Sequence, residues 1–262
     1  MSIAEKLITI AENEQKVYEA GFEAGKAQGG GSSDDFWDSY QQNGNLRNYK
    51  MSFAGKGWSK DNFYPKYDII VSTAAVSMFQ EFGGEPFSLT ERLNECGVTL
   101  DFSQLTTSAS NVFYGSPFTE IPHINLMKSN SIASLYYNCK NLVTASLTIP
   151  FGASLGSSFS HCTDLENLTF VEGIDEMGAV SSIGSDVSFK WSTKLSRDSL
   201  LSILKMCRIF TGGGEWAIKI TLPIYCIDGA TNTEALMSES GDQELYTAKM
   251  NAINSGYNIV FA

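Results

Sequence analysis

The stretch "LYYNCKNLVTASLTI" occupies residues 135–149, and "SFSHCTDLENLTFV" occupies residues 158–171. Both run aromatic, two residues, cysteine, two residues, leucine: Tyr136, Cys139, Leu142 and then Phe159, Cys162, Leu165, displaced by 23 residues. Two further copies flank them. "NVFYGSPFTEIPHI" is led by Phe113 and "SFKWSTKLSRDSLLSIL" by Phe189, each with a serine (Ser116, Ser192) where the central copies have cysteine. The leading aromatics lie 23, 23 and 30 residues apart, and the last offset is stretched by the insert around "EMGAVSSIGSD". Beyond Phe118, Leu142, Leu165 and Leu195 the copies read FTEIPH, LVTASL, LENLTF and LSRDSL, and the first copy is one residue short ahead of Phe118.

A fixed offset is what a coiled stack of turns demands, because each position must sit above its equivalent in the previous turn. Three of the four copies approximate L-x-x-L-x-L, the pattern of a leucine-rich repeat. It predicts parallel strands near 118–124, 142–149 and 165–171, with Leu142 over Leu165 and Ala145 over Leu168. Cys139 and Cys162 then share an inner corner where a small sulfur fits and a bulky side chain does not. The "x" side chains point away from the core. Glu120, Thr144, Ser146, Asn167 and Thr169, with Trp191 nearby on the fourth copy, are therefore the candidate ligand-binding residues.

The rest of the chain is read outward from this block. Residues 1–28 carry an apolar seam, Ile3, Leu7, Ile10 and Val17, continued by Gly21 and Ala24 and interrupted at Glu14. That spacing is a short heptad pattern, and isoleucine at core positions favours three strands. "GGGSSDD" at 29–35 is a flexible linker. Residues 36–110 form an aromatic-rich module and N-terminal cap, in which "LTERLNECGVTLDFS" reads as a helix, a stop at Gly97 and a strand. The repeats fill 111–195. Residues 196–262 are an α/β cap: a helix capped by Ser196 with Leu200, Ile203, Leu204 and Cys207 on its apolar face, the strand "WAIKITL", then a helix, a stop at Gly256 and a final strand. The expected fold class is α+β: coiled-coil helix, aromatic module, short leucine-rich-repeat solenoid with a parallel sheet, and C-terminal cap.

Composition narrows the function. The 262 residues are 43% hydrophobic and 18% charged, with a net charge of −11. No basic run suits nucleic acid or an anionic membrane surface. No window reaches the length of a membrane span, and the acidic start does not read as a signal peptide. Five cysteines without a CxxC predict free thiols rather than a disulfide framework. The two histidines, His123 and His161, have no partners at metal-ligand spacing. No phosphate loop, dinucleotide fingerprint, calcium loop or nucleophile elbow occurs. The sequence predicts no enzyme and no cofactor.

The aromatic-x-x-Cys-x-x-Leu copies resemble leucine-rich repeats of the BspA type. "MSIAEKLITIAENEQKVYEAG", "DDFWDSYQQNGN" and "GWSKDNFYPKYDI" resemble the opening of tail-associated proteins of phages and prophages of gut bacteria. The resemblance implies a virion tail-fibre or baseplate-tip protein, assembled in the host cytoplasm. It also implies a homotrimer that contacts other tail proteins and recognises a glycan or protein receptor on the bacterial surface. It brings no residue-level binding motif. A bacterial surface adhesin or interaction scaffold is the alternative class.

Overall fold

Alternation of apolar and polar residues puts one side of each short strand into the core. The computed structural model shows this for residues 37, 53, 57–71, 75, 77–80, 82–208 and 217–262, the residues it describes. The seam at Ile3, Leu7, Ile10 and Val17, the helix at 1–28 and the linker at 29–35 lie outside them. The architecture is mixed α and β with parallel sheets.

The elements follow the chain as β1 (Ile69–Ile70), β2 (Phe87–Ser88), α1 (Leu89–Cys96), β3 (Leu100–Asp101), β4 (Phe118–Glu120), β5 (Ile124–Asn125), β6 (Thr144–Thr148) and β7 (Asn167–Phe170). Then come β8 (Val187–Ser188), α2 (Arg197–Lys205), β9 (Ile218–Leu222), β10 (Tyr225–Cys226), α3 (Ile227–Ala230), β11 (Thr231–Asn232), α4 (Thr233–Leu236), α5 (Gln243–Asn254) and β12 (Tyr257–Phe261). The main sheet runs β2-β4-β6-β7, all parallel, and β5 also pairs with β6. A second parallel sheet runs β8-β9-β12. Helix starts are capped as the sequence predicts, with Ser88 and Ser196 hydroxyls accepting from the Glu91 and Ser199 amides. Gly97 and Gly256 stop α1 and α5 at φ 65° and 92°.

Between β6 and β7 the pairing is Thr144 with Asn167, Ala145 with Leu168, Ser146 with Thr169 and Leu147 with Phe170, every pair 23 residues apart. Leu142, Leu147, Leu165 and Leu168 are all buried. Each copy bends back through the same turn. The backbone N–H of Ser116, Cys139, Cys162 and Ser192 donates to the carbonyl of its own leading aromatic at 3.0, 3.1, 3.3 and 2.8 Å.

The leading aromatics form a column through the molecule. Phe113 stacks on Tyr136 at 5.4 Å, Tyr136 meets Phe159 at 5.8 Å, and Phe159 stacks on Phe189 at 4.8 Å. The column extends beyond the four copies found in the sequence. Phe79 stacks on Phe113 at 5.1 Å, and Phe53 meets Phe79 at 5.0 Å. Phe79 N–H donates to Val112 O at 2.7 Å, as Phe113 N–H does to Leu135 O at 3.0 Å. Two residues ahead of the aromatic, Ser77, Asn111 and Ser134 all take left-handed backbone at φ 57°, 58° and 58°. The repeating turn thus reaches back to Phe79, with α1 inserted before the next turn.

The two inner cysteines do more than fit. Cys139 Sγ donates to the carbonyl of Phe113 at 2.8 Å, and Cys162 Sγ donates to that of Tyr136 at 3.0 Å. Each thiol therefore adds a second donor to the aromatic carbonyl of the turn before it, which already accepts from its own turn's N–H. Burial pushes the Cys139 thiol up to about 12 and the Cys162 thiol well above its usual value, so both stay protonated and keep donating. All five cysteines are free. Cys139→Ala plus Cys162→Ala is expected to cost about 2–5 kcal/mol in denaturant unfolding, since two buried carbonyls lose a donor and two small voids open. Cys→Ser at both sites keeps a donor and should recover part of the loss. A serine pair no better than the alanine pair would make volume, not the thiol bond, the dominant contribution.

Candidate binding surface

The outward side chains of the main sheet form rows across the strands. Glu120 pairs with Thr144, and Thr144 with Asn167. Ser88 Oγ donates to Glu120 Oε2 at 3.3 Å, extending this row to β2. Ser146 and Thr169 pair in the next row. Asn167 and Thr169 are exposed, while Glu120, Thr144 and Ser146 are half-buried. The five strand residues predicted from the sequence therefore lie on one continuous patch. No side-chain hydrogen bond engages Thr144, Asn167 or Thr169 among the described residues, so one amide and two hydroxyls face outward uncommitted.

His123 joins this patch, which the repeat alignment did not predict. In L-x-x-L-x-L phrasing it occupies the third apolar slot of the first copy. The structure turns it out instead and puts Ile124 in the slot, paired with Leu147. Glu120 and Ile124 are four residues apart, whereas their partners Thr144 and Leu147 are three apart. The extra residue is a bulge at Pro122, whose missing N–H breaks the ladder. It restores the register lost where the first copy runs one residue short ahead of Phe118. The swung-out imidazole then spans β6, with Nδ1 at 2.9 Å from Ser146 Oγ and Nε2 at 3.1 Å from Thr148 Oγ1. Partial burial holds its pKa below the usual value, which favours the neutral ring. A neutral imidazole donates from one nitrogen and accepts at the other, so it fixes both hydroxyls. Among the described residues neither ring nitrogen meets a carboxylate, so the Ser146–His123 contact has no orienting acid of a nucleophilic triad there.

Trp191 does not join the strand rows. It stacks on His161 at 4.9 Å, His161 meets Tyr137 at 5.7 Å, and Tyr137 stacks on Tyr114 at 5.2 Å. This outer aromatic row follows the repeating turn. Two stacked pairs, Trp191 on His161 and Tyr137 on Tyr114, meet through the edge-to-face contact of Tyr137 with His161. Trp191 is 43% exposed and has Lys190 Nζ at 4.9 Å from its ring centre.

A cavity of about 690 Å³ opens between α2 and α5, with Leu201, Leu204 and Cys207 in its lining and Lys205, Arg208 and Glu244 among its charged groups. Those charges are internally paired: Glu244 with Arg197 at 2.7 Å and Lys205 at 3.6 Å, and Arg208 with Glu172. Arg197 holds the Glu244 carboxyl below the usual range. Among the described residues no cluster of histidine, cysteine and acidic side chains is placed to hold a metal ion. Among them, too, no helix is long and apolar enough to cross a membrane. No protein-family model, curated protein or solved structure matches the chain.

Proposed function

We propose that this chain is a non-catalytic receptor-binding protein of a phage tail, attaching to a bacterial surface through a short leucine-rich-repeat solenoid of the BspA type. The observation that carries the reading is the unbroken 23-residue register between β6 and β7, which converts the sequence repeat into an outward polar patch. An amide, two hydroxyls and one carboxylate suit hydrogen bonding to a polar, largely uncharged receptor such as a cell-wall glycan. The seam Ile3, Leu7, Ile10 and Val17, read from the sequence, supports a trimer. Three such patches on one axis bind together through high effective concentration, so each contact need only be modest. Binding of this kind requires no cofactor.

The test is adsorption of the purified protein to cells of the bacterium whose genome or prophage carries the gene. Thr144→Lys with Asn167→Lys is expected to reduce adsorption at least tenfold. Melting should shift by no more than about 1 kcal/mol, since both side chains point outward and the cost is one like-charge cross-strand pair. Adsorption unchanged by the double substitution removes the strand patch as the contact. Failure of the parent protein to adsorb at all removes the host-attachment reading.

A further inference from the structure

The second sheet ends in a strand whose outer edge no described residue covers. β12 pairs with β9 in unbroken parallel register from Tyr257 opposite Ile218 to Phe261 opposite Leu222. Ala262 N–H donates to Leu222 O at 3.0 Å. Along a parallel strand the bonding direction alternates. The N–H and C=O groups of Tyr257, Ile259 and Phe261 therefore point away from β9. Among the described residues no backbone or side-chain group meets them.

Proteins normally blunt such an edge with lysine, proline, a bulge or a covering element. β12 reads YNIVF, with no charge and no proline. Its Ile259, Val260 and Phe261 side chains are only half-buried. Ile253, on the last turn of the preceding α5, is 42% exposed. The edge of β7 is treated quite differently, being closed by hydroxyls from α2: Leu168 N–H donates to Ser199 Oγ at 2.8 Å and Phe170 N–H to Ser202 Oγ at 2.7 Å.

We propose that β12 pairs antiparallel with β12 of a second copy of this chain, about a twofold axis through Ile259. The outward groups sit at 257, 259 and 261, which is symmetric about 259. A twofold axis there sets Tyr257 against Phe261 of the second copy and Ile259 against its equivalent. Every outward N–H then meets an outward C=O, giving six hydrogen bonds with none left over. This is the self-complementarity an isologous interface requires. The absence of charge on the strand removes like-charge opposition in a chain that carries −11 overall. The pairing joins the two second sheets into one six-stranded sheet and covers the half-buried Ile259 and Phe261. The proposal stands independently of host attachment.

The experiment is sedimentation of the full chain over a wide concentration range, parent against Ile259→Pro. Proline removes an N–H that points outward and takes none from the β9 ladder, so the fold should persist by thermal melting. The parent is expected to reach a higher mass than the variant at high concentration, with even-numbered association through β12. Amide exchange on the parent gives a reading that needs no variant. Ile259 and Phe261 amides should gain protection as concentration rises, while Asn258 and Val260, bonded to β9, stay protected throughout. Equal masses for a folded variant and the parent overturn the pairing. So do Ile259 and Phe261 amides that exchange at one rate across the range.

Discussion

Leu165→Asp is expected to remove the cooperative unfolding transition. Leu165 is fully buried and stands one repeat beyond the equally buried Leu142. Truncating such a leucine to alanine costs about 2–5 kcal/mol. Aspartate adds the cost of an uncompensated carboxylate among apolar side chains, or of holding it protonated at neutral pH. Together these approach the 5–15 kcal/mol that a whole domain has available. Circular dichroism during heating should show a shallow drift in place of a sigmoid. Leu165→Met, of nearly equal volume, should stay within about 1.5 kcal/mol of the parent. An aspartate variant that melts like the parent would mean that position 165 is not interior and that the repeat register is wrong.

The second large effect is expected at α2. Removing both hydroxyls with Ser199→Ala and Ser202→Ala strips the acceptors from the Leu168 and Phe170 amides. Ser199 Oγ also donates to Glu166 O at 2.7 Å, a carbonyl that keeps the Ser196 N–H as a donor at 2.8 Å. At about 1–3 kcal/mol for each of the two orphaned amides, the pair should cost about 2–6 kcal/mol. The urea midpoint should fall with an unchanged slope, since the exposed surface on unfolding is the same. Ser→Thr at both positions keeps the hydroxyls and should retain more of the stability. A double alanine variant within about 0.5 kcal/mol of the parent would show that water replaces the serines without penalty, and that α2 covers the edge by packing alone.

Much of this arrangement is written in the repeats, and the gaps have physical causes. The offset of Tyr136, Phe159 and their leucines carries the strand register, because one buried face fixes the alternation. Phe79 falls outside the 23-residue pattern because α1 stretches the next offset to 34 residues. Phe53 sits in a glycine-bearing stretch with no leucine pattern after it. The terminal elements were legible from their caps: Ser196 opening α2, Gly97 and Gly256 ending α1 and α5. The edge-closing task of Ser199 and Ser202 was not. Serine on a helix next to leucine looks like a polar border residue until the neighbouring strand is in place. In the binding surface, alternation alone places Glu120, Thr144, Ser146, Asn167 and Thr169 together. Trp191, on the fourth copy, belongs instead to the outer aromatic row, where it stacks on His161. For His123 the sequence raises only metal binding, although Pro122 beside it signals the bulge that turns it outward.

The buried sulfurs also decide how the molecule meets oxidants. Peroxide and disulfides attack the thiolate, and only where it can be reached. Cys139 and Cys162 satisfy neither condition, being fully buried and held protonated far above neutral pH. A protein carrying five free thiols can therefore pass through an oxidising medium with its repeat block chemically silent. Cys96, on α1, is the most accessible of the five, although partial burial raises its thiol to about 11. For the inner pair, modification waits on transient opening of the stack, so the slow appearance of sulfenic acid at Cys139 becomes a clock for that opening.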